Sequence, residues 1–246
     1  DATNFTDSIL ISQNASTGTL DAATNNTGLG DTVFAALTSG DNNTSIGADS
    51  CKALTTGTNN VAVGFAALEA NTTASNNVAI GFTALLVNTT GQENIAIGKG
   101  ALDANTTADS NVGIGNNALG SNTTGATNVA IGAAALDANT TASHNTAVGN
   151  QSLGANTTGE SNTAVGSQSL DANTTGTNNT AVGRQALDNN TTGSRLVAIG
   201  TNALDANTTA DFNTAVGDGC LKENTTGSTN TAVGALALDA NTTGAS

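Results

Sequence analysis

A glycine recurs every 17 residues through most of this 246-residue chain, and this interval constrains the fold more than any other feature. The series has no insertion or deletion over thirteen positions: Gly30, Gly47, Gly64, Gly81, Gly98, Gly115, Gly132, Gly149, Gly166, Gly183, Gly200, Gly217 and Gly234. A fixed period of this kind indicates one structural unit stacked on the next. We therefore expect a row of equivalent coils rather than a globular core.

The residues before each glycine predict a short strand. Val or Ile usually precedes the glycine, as at Val165, and Thr or another β-branched residue stands two positions earlier, as at Thr163. A small residue, usually Ala, separates the two, as at Ala164. Alternation with period two among β-branched residues is typical of a strand.

A second apolar position follows each glycine by four residues, as at Leu170, and predicts a second short strand. The turn after it, residues 171–176, is rich in Asn, Asp and Gly, which favour left-handed backbone conformations. Asn, Thr and Gly are weak helix formers, so a helix is a poor alternative. The sequence thus predicts an all-β, parallel β-solenoid of thirteen 17-residue coils over residues 26–246. Residues 1–25 are expected to form an N-terminal capping or assembly segment, with a strand at 8–11.

The strand pattern also suggests which side chains face inward. We expect Val or Ile and Leu to fill the coil, and Ala to face the other way. Because such a thin coil buries few apolar groups, we expect the Ala strip to pack against other copies in a homo-oligomer, with a solvated Ala face as the alternative. The last copy stops in the turn at 244–246 without a polar capping coil. Either the chain continues or subunits stack end to end.

Composition and regularity exclude several classes of function. The formal net charge of −14, with only five Lys and Arg, argues against nucleic acid or an anionic membrane as a partner. No apolar run approaches the roughly 18 residues of a membrane span. The chain starts without Met or a signal peptide, so we expect a processed chain or an excised segment. Because equivalent coils offer no unique pocket, we predict no enzyme and no catalytic, cofactor-binding or metal-binding residue.

Three residues with potentially reactive side chains occur outside the repeating pattern. His144 is the only histidine and lies in a turn, so we expect it at the surface. Cys51 takes a Leu-type position and Cys220 an Ala-type position, far apart along the repeat, so we expect free, buried thiols. If the Ala strip is an interface, Cys220 could instead pair between chains.

An acidic residue follows the leucine in many coils: Glu69, Asp103, Asp137, Asp171, Asp188, Asp205 and Asp239. Stacked carboxylates repel one another unless they are solvated or bridged by a cation, and calcium prefers such oxygen ligands. Leu86, Gly120, Gly154 and Lys222 interrupt the column. A solvated face is therefore favoured over calcium, and no cofactor is predicted.

Asn-Thr-Thr occurs eleven times, beginning at Asn71, Asn88, Asn105, Asn122, Asn139, Asn156, Asn173, Asn190, Asn207, Asn224 and Asn241. Each is formally an N-glycosylation sequon on an expected turn. We favour the alternative in which Asn and Thr serve the turn or form internal side-chain ladders. An ice-binding Thr array is a weaker hypothesis, since adjacent threonines should point to opposite sides.

The motif Asn-Thr-Ala-Val-Gly at 162–166, followed by Ser169 and Leu170, resembles the head repeats of trimeric autotransporter adhesins. It is equally similar to repeat arrays in bacteriophage tail fibres and other virion fibres. The resemblance covers about residue 26 to the end and implies a left-handed parallel β-roll, three chains side by side, outside the cell or on a virion. The coil is longer than in the adhesin heads, with extra residues in the Asn-Thr-Thr-Gly turn.

Together these features predict a structural or adhesive extracellular fibre or adhesin-head segment at the cell surface, which trimerises along its length. Its partners would be its own copies and a host-surface or glycan receptor, without membrane insertion. A virion tail-fibre segment is the first alternative. A filament subunit that polymerises end to end, with or without glycans, is the second, and an ice-binding solenoid is the weakest.

Overall fold

The computed structural model describes residues 9–11 and 22–245, and within these residues it contains strands and turns but no helix. No helix in this described part is therefore long and apolar enough to cross a membrane. Each strand has three residues. The strands are β1 (Ile9–Ile11), β2 (Thr27–Leu29), β3 (Thr44–Ile46), β4 (Val61–Val63), β5 (Val78–Ile80), β6 (Ile95–Ile97), β7 (Val112–Ile114), β8 (Val129–Ile131), β9 (Thr146–Val148), β10 (Thr163–Val165), β11 (Thr180–Val182), β12 (Val197–Ile199), β13 (Thr214–Val216) and β14 (Thr231–Val233).

The chain divides after Thr124 into two compact units, with β1–β7 in the first and β8–β14 in the second. Within each unit, consecutive strands pair in parallel and keep one register. In the second unit, for example, Thr163 lies beside Thr180 and Val165 beside Val182. Each unit is thus a parallel β-solenoid with a 17-residue coil, which confirms the predicted fold class.

The predicted N-terminal strand is also present. Strand β1 pairs in parallel with β2, and Ile9 lies beside Thr27. The remaining residues of 1–21 lie outside the described part of the chain. The capping or assembly role of this segment stays a prediction.

The predicted second strand of each coil, at the leucine, is wrong. The segment from Gly149 to Asn156 forms consecutive turns, in which Ser152 N–H donates to Gly149 O (3.4 Å) and Asn156 N–H donates to Leu153 O (3.2 Å). Gln151 and Leu153 have φ values of 54° and 52°. Left-handed residues at alternate positions curl the backbone where a strand would run straight. Nothing in the apolar pattern indicates this curl, because bulky residues rarely adopt a positive φ.

The repeat glycine allows one coil to lie directly on the next. Gly166 has φ of 136°, and a Cβ placed there would lie 2.5 Å from the carbonyl oxygen of Gly183 in the following coil. Residues other than glycine rarely adopt this backbone conformation, and the atom that the added Cβ would meet belongs to the backbone. The glycine series is therefore required by stacking itself.

The coil interior contains Ala and Leu, so the assignment of Val and Ile to the interior is wrong. Ala164 and Leu170 are fully buried, whereas the side chain of Val165 is 37% exposed. The limited space inside the coil explains why Ala, and not Val or Ile, faces inward. At Gly113, which takes the place of the Ala, an added Cβ would lie only 3.3 Å from Leu102 Cγ. Leu fills the narrow coil from one wall, and only a small side chain fits on the opposite wall.

Two ladders of buried asparagines complete the interior. In the first, at the start of each strand, Asn162 Oδ1 accepts the backbone N–H of Asn179 (3.0 Å), and Asn162 Nδ2 donates to Gly176 O (2.8 Å). The second ladder is formed by the Asn-Thr-Thr residues, where Asn173 Nδ2 donates to Asn156 Oδ1 (2.9 Å) and to Gly176 O (3.1 Å). Internal Asn ladders are therefore confirmed as the role of these residues.

Candidate functional site

Each unit presents an outward sheet surface, here called the strand face, made of the first and third residue of each strand from β2 to β14. In the first unit its columns are Thr27, Thr44, Val61, Val78, Ile95 and Val112, and Leu29, Ile46, Val63, Ile80, Ile97 and Ile114. In the second unit they are Val129, Thr146, Thr163, Thr180, Val197, Thr214 and Thr231, and Ile131, Val148, Val165, Val182, Ile199, Val216 and Val233. All but Leu29 are β-branched.

The strand face is apolar and open to solvent within the described chain. Leu29 is 47% exposed and Ile199 40% exposed, although both are large aliphatic side chains. Paired strands lie about 4.8 Å apart, so the γ-methyl groups form regular, closely spaced rows. Contiguous apolar surface of this kind marks an interaction site more often than a solvated face.

The two strand faces differ in polarity. In the first unit, both columns are aliphatic from Val61 through Ile114, whereas Thr stands in most strands of the second unit. Phe65 and Phe82 follow the repeat glycine in two successive coils of the first unit, and both are about half exposed. Their rings stack with centroids 5.4 Å apart. Sequence reasoning missed this pair, although their shared position after Gly64 and Gly81 was a usable signal.

Comparisons with known proteins add no family to this description. No family model, no curated protein and no solved structure matches the chain. Function is therefore inferred from the strand face and from the chemistry of the repeated columns.

The Ala strip predicted as an interface lies inside the coil instead, where Ala164 and Ala181 are fully buried. The hypothesis of a disulfide between chains at Cys220 is wrong for the same reason, since its Sγ lies inside the coil, 3.2 Å from Ala232 O. Both cysteines are free and buried, as expected. Burial raises the pKa of the Cys51 thiol to about 12. Neither thiol is thus placed to react at the surface.

His144 lies at the surface, as predicted, and its Nδ1 is 2.7 Å from Thr127 Oγ1. The threonines of the Asn-Thr-Thr turns divide their roles. Thr174 Oγ1 donates to the carbonyl oxygen of Thr191 in the next coil (3.0 Å), whereas Thr175 is exposed. The turns therefore carry one exposed column of threonines. The ice-binding hypothesis would need two such columns on one flat surface, so this arrangement does not support it.

The acidic column is half-buried rather than fully solvated, except at Asp239, which is exposed. Burial raises the pKa of Asp137, Asp171, Asp188 and Asp205 above the ordinary value of 3.8. At Asp188 the charge of Asp171 raises the pKa further, and at Asp205 the charge of Asp188 does the same. Among the described residues, no group of three or more His, Cys, Asp or Glu side chains is arranged to hold a metal ion. The absence of a calcium site stays a prediction, with calcium as the less favoured alternative.

We expect the free energy of unfolding to rise as the pH is lowered from about 7 toward about 4. The folded-state pKa values of these four carboxyls are raised above 3.8. Their contribution to stability is therefore complete below the unfolded-state pKa and is lost as the pH rises through the folded-state pKa. Urea unfolding, followed by circular dichroism at several pH values, measures the slope of the free energy of unfolding against pH. Asp49 acts oppositely at lower pH, because hydrogen bonds to Thr32 and Lys52 lower its pKa.

The substitution Asp188→Asn tests the assignment of this pH dependence. It removes a charge beside Asp171 and Asp205, so it should raise stability at neutral pH and flatten the slope. Asp218→Asn, at an exposed position outside the column, is the matched control and should leave the slope unchanged. Equal slopes for the wild type and Asp188→Asn would refute the assignment.

Proposed function

We propose that this chain is a structural element of an extracellular or virion fibre, in which three copies associate side by side through their strand faces. The observation that carries the proposal is the row of exposed β-branched side chains on each unit, which replaces the Ala strip as the expected interface. Burying such side chains contributes about 25 cal/mol per Å² of apolar surface. A repeated strip also lets the same contact recur in successive coils.

The repeated columns support a structural role over a catalytic one. The Ala, Leu and Asn columns and the repeat glycine all serve stacking within a coil or between coils. The outward columns carry methyl and hydroxyl groups in the same arrangement from strand to strand. We therefore propose no catalysis and no cofactor for this chain.

The similarity of the repeat to adhesin heads and virion fibres supports a location outside the cell or on a virion. It also supports a host-surface or glycan receptor as a partner, and a left-handed sense for the coil. The net charge of −14 favours a partner other than nucleic acid.

Two Asp substitutions on the strand face should convert the assembly into monomers. In the variant Val165→Asp/Val182→Asp, two charges would have to be buried in the contact between chains, which is strongly unfavourable. Sedimentation equilibrium should give about three times the 23.8 kDa chain mass for the wild type and the single-chain mass for the variant. Circular dichroism should stay unchanged, because both side chains point outward.

The control is Thr158→Asp/Thr175→Asp, which adds the same charge at exposed turn positions and should remain assembled. A wild-type chain that sediments as a monomer at its highest soluble concentration would refute the proposal. Filaments seen by electron microscopy for both variants would favour end-to-end stacking instead.

A further inference from the structure

The fold separates N-glycosylation sequons into two classes that the sequence does not distinguish. A sequon is Asn-x-Ser or Asn-x-Thr, and the described residues contain others besides the eleven Asn-Thr-Thr copies. These others begin at Asn25, Asn42, Asn43, Asn150, Asn178 and Asn189. Whether a sugar can be attached depends on access to the Asn Nδ2 atom and to the hydroxyl two residues later.

Ten of the Asn-Thr-Thr sequons, from Asn71 through Asn224, are closed by the asparagine ladder, whereas Asn241 is only partly buried. Asn105 is fully buried, and its Nδ2 uses both of its hydrogens, one to Asn88 Oδ1 (2.9 Å) and one to Ala108 O (3.1 Å). A glycan would replace one of these hydrogens and would also need space. Space is absent, since even a Cβ added at Gly91 would lie 2.5 Å from Asn88 Oδ1.

Two of the other sequons are closed as well. Asn43 is fully buried and its Nδ2 donates to Asn26 Oδ1 (3.0 Å) and Gly57 O (2.9 Å). Asn150 is exposed, but the hydroxyl residue of its sequon, Ser152, is fully buried. A transferase that must bind both ends of the sequon cannot use either site in the folded chain.

Three sequons are open at both ends. Asn25, Asn42 and Asn178 occupy one exposed column, each directly before a buried ladder asparagine, with φ values of 57°, 58° and 58°. Their sequon threonines begin a strand and point outward on the strand face, where they are at least partly exposed. The sequon at Asn189 does not belong to this class, although Asn189 is exposed. Its Nδ2 donates to Asp205 O (3.1 Å) and Asp205 Oδ1 (3.2 Å), and Thr191 Oγ1 donates to Thr208 O (3.0 Å).

We propose that the folded chain accepts N-linked glycans at Asn25, Asn42 and Asn178, and that folding closes the ten Asn-Thr-Thr sequons from Asn71 through Asn224. The donor class is an oligosaccharide linked to a lipid pyrophosphate. The Asn Nδ2 attacks the anomeric carbon, so a C–N bond forms while the C–O bond to the pyrophosphate breaks. The amide proton passes to a base of the transferase, and the lipid pyrophosphate leaves.

Glycan attachment and coil formation are therefore mutually exclusive at these ten Asn-Thr-Thr sequons. A glycan added there before folding would remove a ladder hydrogen bond and place a sugar where the interior is already full. The same addition at the open column would leave every ladder bond in place.

The test compares the folded chain with a peptide that contains both classes. A synthetic peptide of residues 171–182 carries the closed sequon at Asn173 and the open sequon at Asn178. Oligosaccharyltransferase with a lipid-linked oligosaccharide should modify both asparagines in the peptide, but only Asn178 in the folded chain. Glycopeptide mass mapping reads the sites. Because Thr180 lies on the strand face that the proposed contact between chains would cover, the folded chain is tested as the variant Val165→Asp/Val182→Asp, which keeps this sequon and is expected to be monomeric. A glycan on Asn173 of that folded chain, or an unmodified Asn178 there, would overturn the proposal.

Secretion through a glycosylating host gives a second measurement. The variant Thr175→Ala removes the Asn173 sequon while leaving the buried asparagine intact, because Thr175 is exposed. Secreted wild-type chain with native circular dichroism should carry no sugar at the Asn-Thr-Thr copies from Asn71 through Asn224, and any misfolded fraction should carry it there. Natively folded chain with glycans at these ten copies would contradict the inference.

Discussion

Replacing Gly166 with alanine should reduce the free energy of unfolding by about 2–5 kcal/mol. The new Cβ would meet Gly183 O at 2.5 Å and Gly183 C at 2.6 Å, and Gly166 holds φ at 136°. Both obstructing atoms belong to the backbone of the next coil, so relief requires the coils to separate. Urea unfolding of Gly166→Ala, followed by circular dichroism, measures the loss.

Gly154→Ala is the matched control, because this glycine has an ordinary φ and its added Cβ would meet Asp171 Oδ1 at 2.5 Å. That carboxylate ends a flexible, half-buried side chain and can move away. The control should therefore change the free energy of unfolding by less than about 1 kcal/mol. Similar losses for both variants would show that glycine itself, and not the close approach of the coils, is required.

Replacing Asn162 with alanine should reduce the free energy of unfolding by about 2–4 kcal/mol. The change removes the acceptor of the Asn179 N–H (3.0 Å) and the donor to Gly176 O (2.8 Å), and it leaves a cavity. A buried N–H without a partner pays the full cost of its desolvation. Amide hydrogen exchange at Asn179 should accelerate as well.

Two further substitutions separate volume from hydrogen bonding. Leu196 stands naturally in the same ladder and is fully buried, so Asn162→Leu should fit and should cost less than Asn162→Ala. Thr175→Ala, on the exposed turn, should change stability by no more than about 0.5 kcal/mol. If Asn162→Ala proves as mild as Thr175→Ala, the ladder does not stabilise the coil.

Much of the interior could be predicted from the sequence alone. Leu170 and its equivalents were placed inside, and the Asn-Thr-Thr asparagines were expected to serve the turn or to form internal ladders, because identical polar residues stacked in register can hydrogen-bond to their neighbours. The other ladder, which contains Asn162 at the start of the strand, was not predicted. The Leu segment was predicted as a strand, but it forms turns with Leu153 at φ of 52°. A bulky residue at positive φ is strained, and only the packing around it shows why the strain is tolerated.

The candidate interaction surface was predicted with the wrong side chains. The triplet 163–165 alternates, and alternation separates the side chains into two sets without stating which set is inside. The larger Val and Ile were assigned to the interior by hydrophobicity. Val and Ile face outward instead, because Leu occupies the space inside the coil that their side chains would need.

The 17-residue glycine series determined by itself that the chain is a row of stacked coils, because a fixed period without insertions indicates one structural unit repeated along the chain. Only the tertiary structure decided which columns of side chains are buried in the coil and which are exposed to a partner. Ala164 and the Asn-Thr-Thr asparagines from Asn71 through Asn224 are buried, whereas Val165 and Asn178 are exposed. The physical reason is the narrow coil, whose volume is filled by one Leu and two Asn ladders, so every other large side chain must face outward.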